Sequence, residues 1–84
     1  MNAVVELVNS QRGMVAARTD DDEYVILELL GSKEPEIGDV LTHPDFHSLG
    51  SERYRNVSQS EDIDVYVQNV VGNLTAAKTQ CFLM

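Results

Sequence analysis

Residues 13–30 constrain this chain more than any other stretch. Two apolar runs, Met14-Val15-Ala16-Ala17-Arg18-Thr19 and Tyr24-Val25-Ile26-Leu27-Glu28-Leu29, flank the acidic tetrad Asp20-Asp21-Asp22-Glu23. Extended side chains alternate between two faces of a sheet. Val25, Leu27 and Leu29 therefore share one face, and their size makes it the core side. Tyr24, Ile26 and Glu28 share the other, expected to be partly wet. The tetrad fits a hairpin tip, where like charges spread into water. Ala16 and Ala17, small for strand residues, predict a close-packed cover over the second strand.

The remaining chain reads as material that closes a core around this hairpin. Residues 3–8 are rich in valine and leucine around a single Glu6 and form a first strand. The polar turn Asn9-Ser10-Gln11-Arg12-Gly13 joins it to the second. A connector over 31–38 contains Pro35, and Gly38-Asp39 turns the chain into a short strand, Val40-Leu41-Thr42. Arg53-Tyr54-Arg55-Asn56-Val57 is a further short strand. Residues 63–71 alternate Ile63, Val65, Val67, Asn69 and Val71 with Asp64, Tyr66, Gln68 and Val70, a valine-rich pattern that favours a pleated surface. Asn73 is placed to cap a helix from 74 to about 82. Leu74, Ala77, Cys81 and Phe82 lie on one stripe of that helix, which would lid the end of a barrel. The expected architecture is a single mainly β domain over 1–84, a small antiparallel barrel of about five strands with a short C-terminal helix.

At 84 residues the core is thin. A chain of this size buries roughly 60–65% of the surface its unfolded form exposes, so a deep catalytic cleft is hard to build. Fourteen acids against six bases give a net charge of −8. That balance opposes phosphate-backbone binding at long range and favours solubility. The one cysteine, Cys81, allows no internal disulfide, which fits a reducing compartment. The N-terminal residues lack the features of a secretion signal, and no apolar run reaches the ~20 residues of a membrane helix. A cytoplasmic location without membrane contact is expected.

Gly13-Met14-Val15, the acidic turn, Tyr24-Val25-Ile26-Leu27-Glu28 and Gly38-Asp39-Val40-Leu41 together resemble the strand pattern of small OB-type barrels, nearest to the S1 and cold-shock groups. The resemblance covers roughly a third of the chain. It implies a barrel whose second and third strands present a face to single-stranded nucleic acid. Arg12, Arg18 and Tyr24 would lie near that face. The chain has no tryptophan, and its hairpin tip is acidic, both unlike the family pattern.

Several residue groups carry candidate chemistry. His43, Asp45 and His47 stand at i, i+2 and i+4, and imidazole with carboxylate suits zinc or another divalent transition metal, with Glu52 or water completing the set. Arg53-Tyr54-Arg55 is the one local basic cluster and could hold a phosphate or pair with nearby acids. The acidic tetrad lacks the ligand spacing of a calcium loop. Cys81-Phe82-Leu83-Met84 has the shape of a prenylation signal. No nucleophile–base pair, phosphate loop or nucleophile elbow is present in the sequence.

The first expectation is thus a non-catalytic binding domain without a cofactor. It would contact a protein partner or itself through the Tyr24–Ile26 face or a strand edge. The second is an OB-like module binding single-stranded RNA or DNA through Arg12, Arg18, Tyr24, Arg53, Tyr54 and Arg55. The third is a metal site at His43, Asp45 and His47.

Overall fold

The computed structural model describes residues 1–83, with the Leu83 side chain outside the description. The strands are β1 (Asn2–Asn9), β2 (Met14–Thr19), β3 (Tyr24–Leu29), β4 (Val40–Thr42), β5 (Gly50–Asn56) and β6 (Glu61–Val71). A short helix α1 (Leu74–Lys78) continues as a π-helical segment, Thr79–Leu83. The strands form a closed antiparallel ring in the order β1-β2-β3-β6-β5-β4, with β4 returning to β1. The ring holds six strands against the about five expected: all six extended runs read from the sequence pair into it, with β5 starting earlier, at Gly50, and β6 earlier, at Glu61.

The chain order explains the ring. β1, β2 and β3 form a meander joined by two tight turns. The connector then carries the chain back past β1, where β4 pairs Ala3 with Leu41. The long β5–β6 hairpin swings round so that β6 seals against β3, pairing Leu27 with Val67 and Leu29 with Val65. A register shift between Ile26 and Leu27 bends this seam, as ring closure demands.

Alternation decides what faces inward. Val5, Val15, Ala17, Val25, Leu27, Leu41, Tyr54, Ile63, Val65 and Val67 fill the barrel and are buried. The core face expected from the hairpin is therefore the observed one, with Leu29 half-buried at its rim.

The opposite face of the hairpin differs from expectation. Tyr24 and Ile26 are buried instead of partly wet. The helix does not lid the barrel end; it lies across the outside of β2 and β3. Ala77 and Cys81 pack there with Ala16 and Ile26, and Leu7, Met14 and Val71 border the cluster. Small side chains on both sides, Ala16 and Ala77, let the helix approach the sheet closely. The Tyr24–Ile26 face is thus unavailable for the partner contact expected of it, because the chain covers it with its own C-terminal segment. Leu74 and Phe82 fall off the packed stripe and are 37% and 45% exposed. Asn73 caps α1 by accepting from the Ala76 N–H at 2.8 Å, and the Asn9 side-chain amide donates to the Cys81 carbonyl at 2.9 Å.

A buried carboxylate ties the connector to the barrel. Asp39 Oδ2 accepts from the Glu36 N–H at 2.9 Å, Asn56 Nδ2 at 2.9 Å and Gln59 Nε2 at 3.2 Å. Burial pushes this carboxyl up, but its hydrogen bonds outweigh that and hold it below the usual range. Gly38 turns the chain here with φ +95°, a conformation few other residues adopt. Its N–H donates to the Val5 carbonyl at 2.8 Å, and Val5 N–H donates to the Asp39 carbonyl at 2.9 Å, prolonging the seam beside β1.

Candidate functional site at the barrel mouth

Two loops meet at one end of the barrel. The β2–β3 turn is organised by Thr19. Its hydroxyl accepts from the Asp21 and Glu23 N–H groups, both at 3.3 Å, and its own N–H donates to the Glu23 carbonyl at 2.7 Å. Asp22 takes φ 60°, a left-handed position that aspartate tolerates. These constraints turn the acidic side chains outward.

The β4–β5 loop is built around His43. Its Nδ1 accepts from the Asp45 N–H at 2.9 Å, which places the ring proton on Nε2, and Nε2 then donates to Glu52 Oε1 at 2.7 Å. Ser48 donates to Glu52 Oε2 at 3.1 Å, and Asp45 Oδ1 accepts from the His47 N–H at 2.9 Å. The His43 ring stacks on Tyr54 with centroids 4.5 Å apart, and Phe46 tilts against Tyr54 at 5.7 Å. These three rings plug the barrel. Burial raises the Tyr54 phenol, reinforced by the Glu52 and Asp45 carboxylates.

The two loops touch where His47 Nε2 hydrogen-bonds Glu23 Oε1 at 2.9 Å. Between them lies a pocket of about 250 Å³ lined by Met1, Thr19, Asp20, Asp21, Glu23, Phe46 and His47. Its floor is the edge of the buried Phe46, Met1 and His47 flank it, and carboxylates stand at its rim. A larger groove of about 550 Å³ on the barrel side includes Leu30, Ser51, Arg53 and Asp64. That groove is shallower, and its one cation, Arg53, is already paired with Asp64 beside Glu52, so the smaller mouth pocket is the better-formed site.

The residues expected to bind nucleic acid do not converge. Arg18 pairs with Glu6 and, at 3.3 Å, with Asp22. Glu6, hydrogen-bonded and charged beside it, raises the Arg18 guanidinium. The Tyr24 hydroxyl reaches Glu6 at 3.4 Å, and burial followed by the Glu6 charge raises that phenol. Arg53 pairs with Asp64 at 2.9 Å and Arg55 with Asp62 at 3.3 Å, each straight across the β5–β6 ladder. Tyr54, between them, points into the core. β2 and β5 stand on opposite walls of the ring. Arg12 sits exposed in the β1–β2 turn.

The expected metal set is likewise dispersed. The His43 and His47 rings turn to different carboxylates, Glu52 and Glu23. Among the described residues no three His, Cys, Asp or Glu side chains are gathered to hold a metal ion. Cys81 is buried under the helix, and burial raises its thiol. It is therefore not presented for prenylation in this fold, and Met84 of that motif lies outside the described residues. No described helix is long and apolar enough to cross a membrane.

Sequence reasoning passed over Thr19 and Phe46, which organise the turn and the floor beneath the pocket. Phe46 did carry a signal: a lone aromatic in a polar loop folds that loop onto a core. No protein-family model matches the chain, and neither a curated protein nor a solved structure resembles it at a significant level.

Proposed function

We propose that this OB-like barrel is a non-catalytic interaction domain of a reducing, cytoplasmic compartment, and that its mouth docks a basic segment of a protein partner. One observation carries this reading: a formed pocket at the barrel mouth with the carboxylates Asp20, Asp21 and Glu23 at its rim. Away from the mouth, Arg18, Arg53 and Arg55 are each spent on a neighbouring acid, Glu6, Asp64 and Asp62. Every strand of the ring has two neighbours, so no whole strand edge is left for pairing, and the helix occupies the outer face of β2 and β3. That same occupation leaves a nucleic-acid strand no open platform of the kind small barrels use. No cofactor enters this reading.

The test is a ¹⁵N–¹H titration of the full chain with three probes at low salt: a short basic peptide, its acidic counterpart and a single-stranded oligonucleotide. The basic peptide is expected to shift the amides of 19–23 and 46–47, with the shifts fading as salt rises. The other two probes are expected to leave those amides in place. Steeply salt-dependent oligonucleotide binding, or a mouth untouched by the basic peptide, overturns the proposal.

A further inference from the structure

We infer that the outer face of the β5–β6 ladder, away from the mouth, is an interface with a second copy of this chain. Exposed residues alternate with buried ones along both strands, and the C-terminal helix lies over β2 and β3 instead. Tyr66 is 42% exposed there. Leu30, 53% exposed, lines the groove on the same face with Ser51, Arg53 and Asp64.

The charge pattern names the occupant. Three rows cross the face: Ser51–Tyr66, Arg53–Asp64 and Arg55–Asp62, with β5 supplying the first member of each. One strand therefore carries both cations and the other both anions. These four charges sum to zero in a chain of net charge −8. A second copy meets repulsion over acidic surface and meets none here.

Facing sheets pack with their strands nearly aligned. For two identical copies that leaves two directions for the twofold axis. An axis across the strands sets arginine over arginine and aspartate over aspartate. An axis along the strands, between β5 and β6, sets each strand over its opposite. The arginines of each copy then meet Asp64 and Asp62 of the other. Tyr66 of each copy lies over the other's Ser51, large against small. The sheets stand about 10 Å apart, a gap filled by arginine stems and a tyrosine ring. Each guanidinium keeps its own aspartate and gains a second, so isolated surface pairs become a network.

The experiment is sedimentation of the full chain at concentrations up to about 1 mM, a range that captures a small, weak interface. The mean mass is expected to climb from 9.3 kDa toward twice that value. Arg53→Glu brings like charges together at two symmetric places and should weaken association at least about tenfold. Lys78→Glu makes the same change of net charge on the helix and should weaken it less than about twofold. Arg53→Glu combined with Asp64→Arg exchanges the pair and should recover the native strength to within about threefold. Tyr66→Ala keeps every charge and should weaken association about fivefold. The amide spectrum of each variant shows that the barrel is intact.

A chain that stays at 9.3 kDa throughout overturns the proposal. Association weakened equally by Arg53→Glu and Lys78→Glu overturns the choice of face. Association tightened by Arg53→Glu overturns the axis, because that change relieves arginine stacked on arginine.

Discussion

The imidazole of His43 lies stacked on the phenol ring of Tyr54, centroids 4.5 Å apart and planes 26° apart. The loop that forms half of the mouth is thereby seated on the barrel core. The Tyr54 hydroxyl takes no part, since no group among the described residues bonds to it although it is buried. Tyr54→Phe should keep the stack and change stability by no more than about 1 kcal/mol in either direction. Tyr54→Ala should cost about 3–5 kcal/mol by emptying the same space. Urea denaturation of both variants checks this, and a large loss in the Phe variant would reveal a partner for the hydroxyl.

Tyr54 also sets an alkaline limit. Its phenol is raised above the ordinary value of 10.0 by burial first and by nearby carboxylates second. Above that value the unfolded chain releases the proton and the folded chain keeps it. The unfolded state then binds fewer protons, so stability falls as pH rises. Denaturation midpoints should decline above pH of about 10, and Tyr54→Phe should flatten that decline.

Asp39 sets the acid limit with the opposite sign. Its carboxyl, held below 3.8 by hydrogen bonds that overcome burial, contributes stability above that value and loses it as pH falls through the depressed folded value. Asp39→Ala should remove the acid-dependent part. It should also cost about 1–3 kcal/mol at neutral pH, because the fully buried Asn56 amide loses its Asp39 acceptor. Acid titration followed by circular dichroism compares the two chains.

Cys81 reports on the helix. It is buried where the helix crosses β2 and β3, so thiol labelling of the native chain should be slow. Asn9→Ala deletes the donor to the Cys81 carbonyl and should speed labelling several-fold, on the scale of one hydrogen bond of about 1 kcal/mol. Ala77→Asp buries a charge against Ala16 and Ile26 and should expose the thiol almost fully while the barrel core stays folded. Labelling kinetics beside the amide spectrum of β5 and β6 separate loss of the helix from global unfolding.

How far the residues alone reveal this molecule depends on the range of the interaction. Period-two alternation marks Val25, Leu27, Val65 and Val67 as inward, because each strand carries that signal by itself. The destination of the helix is a long-range fact. Tyr24 and Glu28 flank Ile26 and give the outer face a wet appearance, and only the docked Ala77 shows why Ile26 is apolar. The arginines teach the same lesson. Arg53 and Arg55 read as a basic patch until the β5–β6 register sets Asp64 and Asp62 directly opposite. The mouth depends on two loops separated by some twenty residues, a juxtaposition no local pattern encodes.

The three residues of β4 close the ring, and they meet β5 at only two register positions, Leu41–Asn56 and Thr42–Arg55. So short a clasp is where the cylinder unzips first, ahead of the long β3–β6 and β5–β6 ladders. The segment bearing His43 and Phe46 hangs directly from that clasp. Opening at that seam should therefore widen the mouth, and whatever tightens the mouth should slow amide exchange along β4.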